Sequence, residues 1–299
     1  MSHNDTDRSH ELPDLGRLEA DVRALAVPRH PRHDPAALLA AEDHVAQELG
    51  AAGLRVERQL FEFRGAEFHN VLGTLDGTDP GLPWVVVGAH FDSVPRSPGA
   101  DDNASGVAAM LEAARLVSRE RFAATVQFVG FNLEEVQDYL GSFRVGSRAY
   151  ARRLRERGQE IRGALVLEMV GFTGPRQVVP AAVQLVKKVP DTGDFLAAVG
   201  DSGSAALLEA FARAAAGAVP VVTLAVPLKG WLVPDTRRSD NARFWDEGYP
   251  ALMLTDTAEL RNPNYHRPGD TPETLDWEFL RRCTAAVAAA VRELAGPAS

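Results

Sequence analysis

The fold turns on the stretch Trp84–Glu120, WVVVGAHFDSVPRSPGADDNASGVAAMLEAARLVSRE. Its first seven residues, WVVVGAH, are continuously apolar up to the histidine, as expected of a strand covered on both faces. Its last fifteen, GVAAMLEAARLVSRE, carry the spacing of an amphipathic helix. A buried strand followed directly by a helix is the repeating unit of a parallel sheet. Between the two elements lie His90, Asp92, Asp101 and Asp102. So much acid beside a histidine, at the end of a hydrophobic strand, needs a chemical reason.

Working outward, the same alternation recurs. ATVQFVGFN, GALVLEMV, GDFLAAVGD, AVPVVTLAV and YPALMLTDT read as strands. GSFRVGSRAYARRLRERG, SAALLEAFARAAAG, DNARFWDEG and LDWEFLRRCTAAVAAAVRELAG read as helices. On the N-terminal side, RLEADVRALA and DPAALLAAEDHVAQELGAAG have helical spacing, the second stopped by Gly53. LRVERQLFEF and EFHNVLGTLDG alternate apolar and polar, as a half-buried antiparallel pair does. The expected fold is α/β: one domain, with a mixed, mainly parallel sheet flanked by helices on both faces. Residues 1–13 read as a disordered tail and 14–299 as the domain. The stretch 172–193 breaks the alternation and reads as a surface excursion, a loop or hairpin. PRHPRH, with His30 and His33, reads as a solvated connection.

The bulk numbers narrow the function. A formal charge of −9 in 299 residues argues against a phosphate-binding surface, and so against nucleic acid as partner. No apolar run is long enough to span a bilayer, so no membrane association is expected. The N-terminus lacks a basic start followed by an apolar stretch, and a cytoplasmic location is the expectation. The single cysteine, Cys283, falls in the apolar pattern of the last helix and reads as a buried, inert thiol.

In open parallel sheets, sites form beyond the carboxyl ends of the strands. His90 and Asp92 end the first buried strand; Glu134 and Glu135 follow the second; Glu168 closes the third; Tyr265 and His266 follow the last. Asp101 and Asp102 begin the helix after the first strand. Taken singly, each has an ordinary reading as an N-cap, a solvated turn or an arginine partner. Together they crowd anions onto one edge, which is costly unless cations neutralise them. Two histidines with Asp102, Glu135 and Glu168 make a donor set for paired zinc ions, with cobalt or manganese as substitutes. Asp102 is placed to bridge the pair. Asp92 can accept the second ring N–H of His90 and fix its tautomer. Of the adjacent Glu134 and Glu135, one can ligate while the other faces an activated water and moves its proton.

The motifs GAHFDS, PGADDNASG, FNLEEVQDYLGS, LVLEMVG, RSDNARFW and NPNYHRPGDTPETLDW resemble, in order, those of the M28 family of co-catalytic zinc exopeptidases. The resemblance covers roughly residues 84–280. It implies a peptide substrate and a dinuclear zinc site, with Asp102 bridging, His90 and Glu168 on separate metals, Glu135 and His266 as the remaining ligands, and Glu134 as general base. It implies that Tyr265 hydrogen-bonds the developing oxyanion, and that the Asp102–Asn103 peptide is cis. Glu168 stands where many members have aspartate, and Asn241 where relatives often have histidine. An aminopeptidase is the leading expectation. A carboxypeptidase-type member, a single-zinc glutaminyl-cyclase-like acyltransferase and a non-catalytic relative are the rivals.

Overall fold

The computed structural model describes residues 12–135, 143–184 and 187–298. In chain order the elements are α1 (Leu15–Leu25), α2 (Pro35–Ala51), β1 (Arg55–Phe63), β2 (Ala66–Leu75), β3 (Trp84–His90) and α3 (Gly106–Val117). There follow β4 (Val126–Phe131), α4 (Val145–Glu156), β5 (Ile161–Glu168), a single turn α5 (Ala181–Gln184) and β6 (Leu196–Asp201). The chain ends with α6 (Ala205–Ala214), β7 (Val221–Val226), α7 (Asn241–Asp246), β8 (Ala251–Thr255) and α8 (Trp277–Ala295).

All eight strands form one mixed sheet in the order β1-β2-β4-β3-β5-β8-β6-β7. The four central strands β4, β3, β5 and β8 run parallel. β1 and β2 add on antiparallel at one side, and the parallel pair β6–β7 joins β8 antiparallel at the other. The central strands are buried along almost their whole length. That is why their sequences read as unbroken apolar runs, whereas β1 alternates.

On one face α1, α2, α3, α6 and α8 close a core built on Val85, Val87, Phe128, Leu165 and Leu254. On the other, α4 and α7 cover Val86, Val129, Phe131 and Val166. The aromatic rings of Phe131, Tyr150 and Phe244 meet there, with centroids 5.8–6.1 Å apart. Cys283 is buried in α8, where burial lifts its thiol well above the usual range.

The excursion at 172–193 is pinned at its base by a bridge between Gly174 and Gly193. The expected tail at 1–13 falls mostly outside the described residues; of its last two positions, Leu12 is exposed and Pro13 buried. The PRHPRH connection departs from its sequence reading. His33 is exposed, but Arg29 and His30 are buried. Arg29 donates to the carbonyls of Leu25, Val27, Phe91, Pro98 and Gly99 at 2.6–3.1 Å. One guanidinium therefore fastens α1 to the loop that runs from β3 to α3. No helix among the described residues is long and apolar enough to cross a membrane.

Candidate active site

The parallel strands end at one edge of the sheet, and the acid-rich loops converge there. His90 is the last residue of β3, Glu134 and Glu135 lie just past β4, and Glu168 ends β5. Asp102 sits in the tight turn entering α3, and His266 in the loop between β8 and α8. The peptide between Asp102 and Asn103 is cis. The turn needs Gly99, at φ 62°, because a Cβ there would lie 2.3 Å from the Asp102 carbonyl oxygen. The Asn103 side chain clamps the turn to β5, donating to Leu167 O at 2.8 Å and accepting from Met169 N at 3.0 Å.

Two sets of donor atoms face each other across Asp102. His90 Nε2 lies 3.3 Å from Asp102 Oδ1 and 3.5 Å from Glu168 Oε2. His266 Nε2 lies 3.1 Å from Asp102 Oδ2 and 3.4 Å from Glu135 Oε2. A tetrahedral ion with N and O ligands at 2.0–2.1 Å holds its ligand atoms about 3.4 Å apart. Both sets have that spacing, and Asp102 offers one carboxylate oxygen to each. The grouping differs from one expectation: His90 and Glu168, expected on separate metals, stand together on one side of Asp102, with Glu135 and His266 on the other; His90 also has Glu134 and Glu135 within reach of a shared ion.

The surrounding contacts hold these donors in place. His90 Nδ1 is 3.2 Å from the Asp92 backbone oxygen and 3.5 Å from its carboxylate. The Asp92 carboxylate accepts the backbone N–H groups of Glu134 (3.0 Å) and Glu135 (3.1 Å). Asp92 thus fixes the glutamate pair as well as the histidine. Ser239 Oγ donates to Glu168 Oε2 at 2.6 Å. Asp270 accepts from the backbone N–H groups of Asp101 and Asp102 at 2.9 and 3.1 Å. Asp101 does not join the donor sets. Its carboxylate accepts from Gly171 N, Ser105 Oγ and Asn262 Nδ2, and shares a hydrogen bond with the buried carboxyl of Asp256.

The electrostatics fit cations. Burial, and then the Asp102 charge, push the Glu135 carboxyl up to about 7. Against burial, hydrogen bonds to Asp102 and Glu135 carry His266 up to about 10. Also against burial, the two histidines hold the Asp102 carboxyl far below the carboxylate range. The cluster thus draws protons in between its acids and bases, and a metal ion can take their place. His90 Nε2, fully buried, has no hydrogen-bond partner among the described residues. Two oriented donor sets, one of them buried almost throughout, therefore fit a pair of ions. His90 lies at the bottom, whereas the His266 side chain is 34% exposed, so the site opens on the His266 side.

Glu134 is buried, and its Oε1 has no hydrogen-bond partner among the described residues. Burial drives its carboxyl well above the ordinary value, reinforced by the charges of Glu168, Asp240 and Glu135. Tyr265 stacks on the His266 ring with centroids 3.8 Å apart, and its hydroxyl accepts from Arg238 Nη2 at 3.0 Å. Burial keeps its phenol protonated far above neutrality. Asn241 is buried away from both donor sets and donates to Thr236 O at 3.0 Å.

A cavity of about 130 Å³ adjoins Glu168 and Tyr265. Sheet register explains its floor. Glu168 pairs with Thr255, Thr255 with Ala197 and Ala197 with Val222, so these side chains share one face. Val199, Leu224 and Met253 lie on the same face and also line it. Val178 and Val183 of the excursion, and Val233 and Arg238 of the loop after β7, supply its walls. Sequence reasoning read the first of these loops as a surface excursion. It missed Ser239, Asp270, Asn103, Asp256 and Arg29 as supports, although Ser239, Asp270 and Asn103 stand inside the quoted motifs.

Residues 70–291 match the profile of peptidase family M28. The chain is 30% identical over 285 residues to the uncharacterized protein YfbL of Escherichia coli, covering 91% of this chain and 85% of that one. It is 28% identical over 243 residues to a probable leucine aminopeptidase 1 of Trichophyton verrucosum, covering 76% of this chain and 58% of the relative's length. Among solved structures, an aminopeptidase from Aneurinibacillus sp. strain AM-1 superposes with a TM-score of 0.74 at 18% identity, over 96% and 95% of the two chains. Porphyromonas gingivalis glutaminyl cyclase superposes with a TM-score of 0.72 at 19% identity, over 95% and 99%.

Proposed function

Because the chain belongs to peptidase family M28, a metallo-exopeptidase class of hydrolase, we propose that it is an aminopeptidase with two zinc ions, removing apolar residues from peptide amino ends. The observation that carries this reading is the division of Asp102 between two donor sets of tetrahedral spacing. His90, Asp102 and Glu168 would hold one ion, and Asp102, Glu135 and His266 the other. Imidazole with carboxylate suits zinc. When bound, the ions would supply Lewis-acid polarisation of the scissile carbonyl and would acidify water.

Glu134 is the general base: its carboxyl, raised by burial, takes up a proton, holds it, and delivers it to the leaving amine. Tyr265, kept protonated and held by Arg238, donates to the oxyanion as negative charge develops. The cationic amino end of a peptide is drawn to the acidic edge. The apolar floor of Ala197, Val199, Leu224 and Met253 receives the first side chain. The complete second donor set speaks against a single-zinc cyclase.

The test is a rate profile over peptides with free and blocked ends, with and without chelator. Cleavage of free amino ends, lost on acetylation and on chelation and restored by zinc, is expected. Cleavage indifferent to acetylation but abolished by amidating the carboxyl end would overturn the aminopeptidase reading.

A further inference from the structure

We propose that a second cavity, at the end of the sheet opposite the metal edge, binds an oxyanion of the phosphate class. The cavity, of about 200 Å³, lies between α4 and the sheet and is lined by Arg55, Arg153 and Arg157 against a single carboxylate, Glu57. In a chain of net charge −9, such a wall is a local reversal of sign.

The floor is polar as well. Arg55 pairs with Thr74, and Thr74 with Gln127, so the three side chains share one sheet face. Tyr150 Oη donates to Gln127 Oε1 at 2.6 Å, and Gln127 Nε2 donates to Thr74 Oγ1 at 2.8 Å. All three are buried, where a contact between helix and sheet is ordinarily apolar. The relay ends on Thr74, whose hydroxyl is left to donate into the cavity it lines.

The arginines differ in what else they do. Arg153 is engaged by Glu57 at 2.6 Å, which neutralises the one acid of the wall. Arg55 pairs with Asp76 at 2.8 Å, but both side chains are more than 60% exposed, and such pairs contribute little. Arg157 forms no ion pair among the described residues. Complementing the negative C-terminal end of α4 would account for Arg153 and Arg155 in its last turn. It does not account for Arg55, which comes from β1 on the opposite side. Two planar guanidinium forks lining one cavity, from β1 and from the end of α4, beside the Thr74 hydroxyl suit a tetrahedral dianion. Half-buried Trp84 screens one side from water.

β3 runs from Trp84 at this cavity to His90 at the metal edge, about 20 Å at the rise of a strand. The anion would therefore touch no substrate, and its binding is independent of what the metal edge catalyses. Inorganic phosphate is titrated calorimetrically into the zinc-loaded full chain at constant ionic strength, with and without a hydroxamate covering the metals. One saturable equivalent is expected with the hydroxamate present. Its affinity should fall at least 10-fold in the Arg55→Gln/Arg157→Gln variant, with kcat/KM unchanged. Arg157→Gln alone, at an exposed position, should weaken it at least 3-fold, which keeps the test open if the double variant folds poorly. Absence of saturable binding, its loss under hydroxamate, or unchanged affinity in both variants would overturn the proposal.

Discussion

Replacing Glu168 by aspartate tests the donor geometry most directly, because only the reach of one carboxylate changes. Pairing of Leu167 and Glu168 with Leu254 and Thr255 fixes the β5 backbone, so the strand cannot advance to compensate. Removing one methylene withdraws the carboxylate by about 1.5 Å. The separation from His90 Nε2, now 3.5 Å, then grows to roughly 5 Å, beyond the ~3.4 Å that two ligands of one zinc require. The hydrogen bond from Ser239, now 2.6 Å, is stretched out of range as well. Zinc affinity at that position should fall by about 100-fold, the upper end of what misplaced supporting groups cost. Two factors of ten are about 2.8 kcal/mol. With free zinc held well above both Kd values, the same amount is lost from folding stability by linkage. For a chain of 299 residues, with an unfolding entropy of about 0.63 kcal/mol/K, that is a drop of about 4–5 °C in Tm. Scanning calorimetry at buffered free zinc, with metal content measured after dialysis, reads both effects. The chelated forms of the two proteins should melt together. If E168D retained two zinc equivalents and its Tm, or if the chelated forms differed as much as the loaded ones, Glu168 would not be gripping an ion.

Four further outcomes are expected. Glu134→Gln should lower kcat by about 10²–10⁴ while metal content stays unchanged, as measured by elemental analysis beside steady-state kinetics. Ala197→Phe, filling the pocket floor, should lower kcat/KM for leucine against alanine amino ends by about 10–200-fold. Arg29→Met should cost about 5 kcal/mol in urea unfolding, since it leaves five buried or half-buried carbonyls without their charged donor. The carboxyls of Asp101 and Asp256 are both raised, burial being the first cause, so the folded state retains a proton that the unfolded state has released above about pH 4. Stability therefore falls as pH rises from there towards the raised folded-state pKa values, and Asp256→Asn should flatten that decline in melts across pH.

The central strands were legible because burial on both faces left nothing but apolar residues between their polar ends. WVVVGAH matches β3 residue for residue. The same logic pointed to the five donors, since His90 and Glu168 end strands, Glu135 lies just past one, Asp102 precedes a helix and His266 lies in the loop after the last strand. How the donors divide between two ions was not legible. β3 lies between β4 and β5, so His90 has Glu135 on one side and Glu168 on the other. Only the direction of the imidazole and of the Asp102 carboxylate decides which joins it, and neither follows from spacing along the chain. Arg29 was hidden for a different reason. Its partners are backbone carbonyls, which leave no trace in residue identity, and its proline-rich surroundings resemble an ordinary exposed loop. The cavity beside Glu168 depends on three strands whose order β8-β6-β7 runs against the sequence, so its floor could not be assembled from local pattern.

The donors sit at the carboxyl ends of the four strands at the middle of the sheet or in the loops that follow them. Metal occupancy would therefore act as a keystone for the interior alone. A loaded molecule can fray at either flank, through β1–β2 or β6–β7, and keep both ions, whereas parting any inner pair spills them. Copies made under zinc starvation should accordingly be nicked by proteases in the segments that carry the inner strands β3, β4, β5 and β8, and replete copies only in those that carry the flanks.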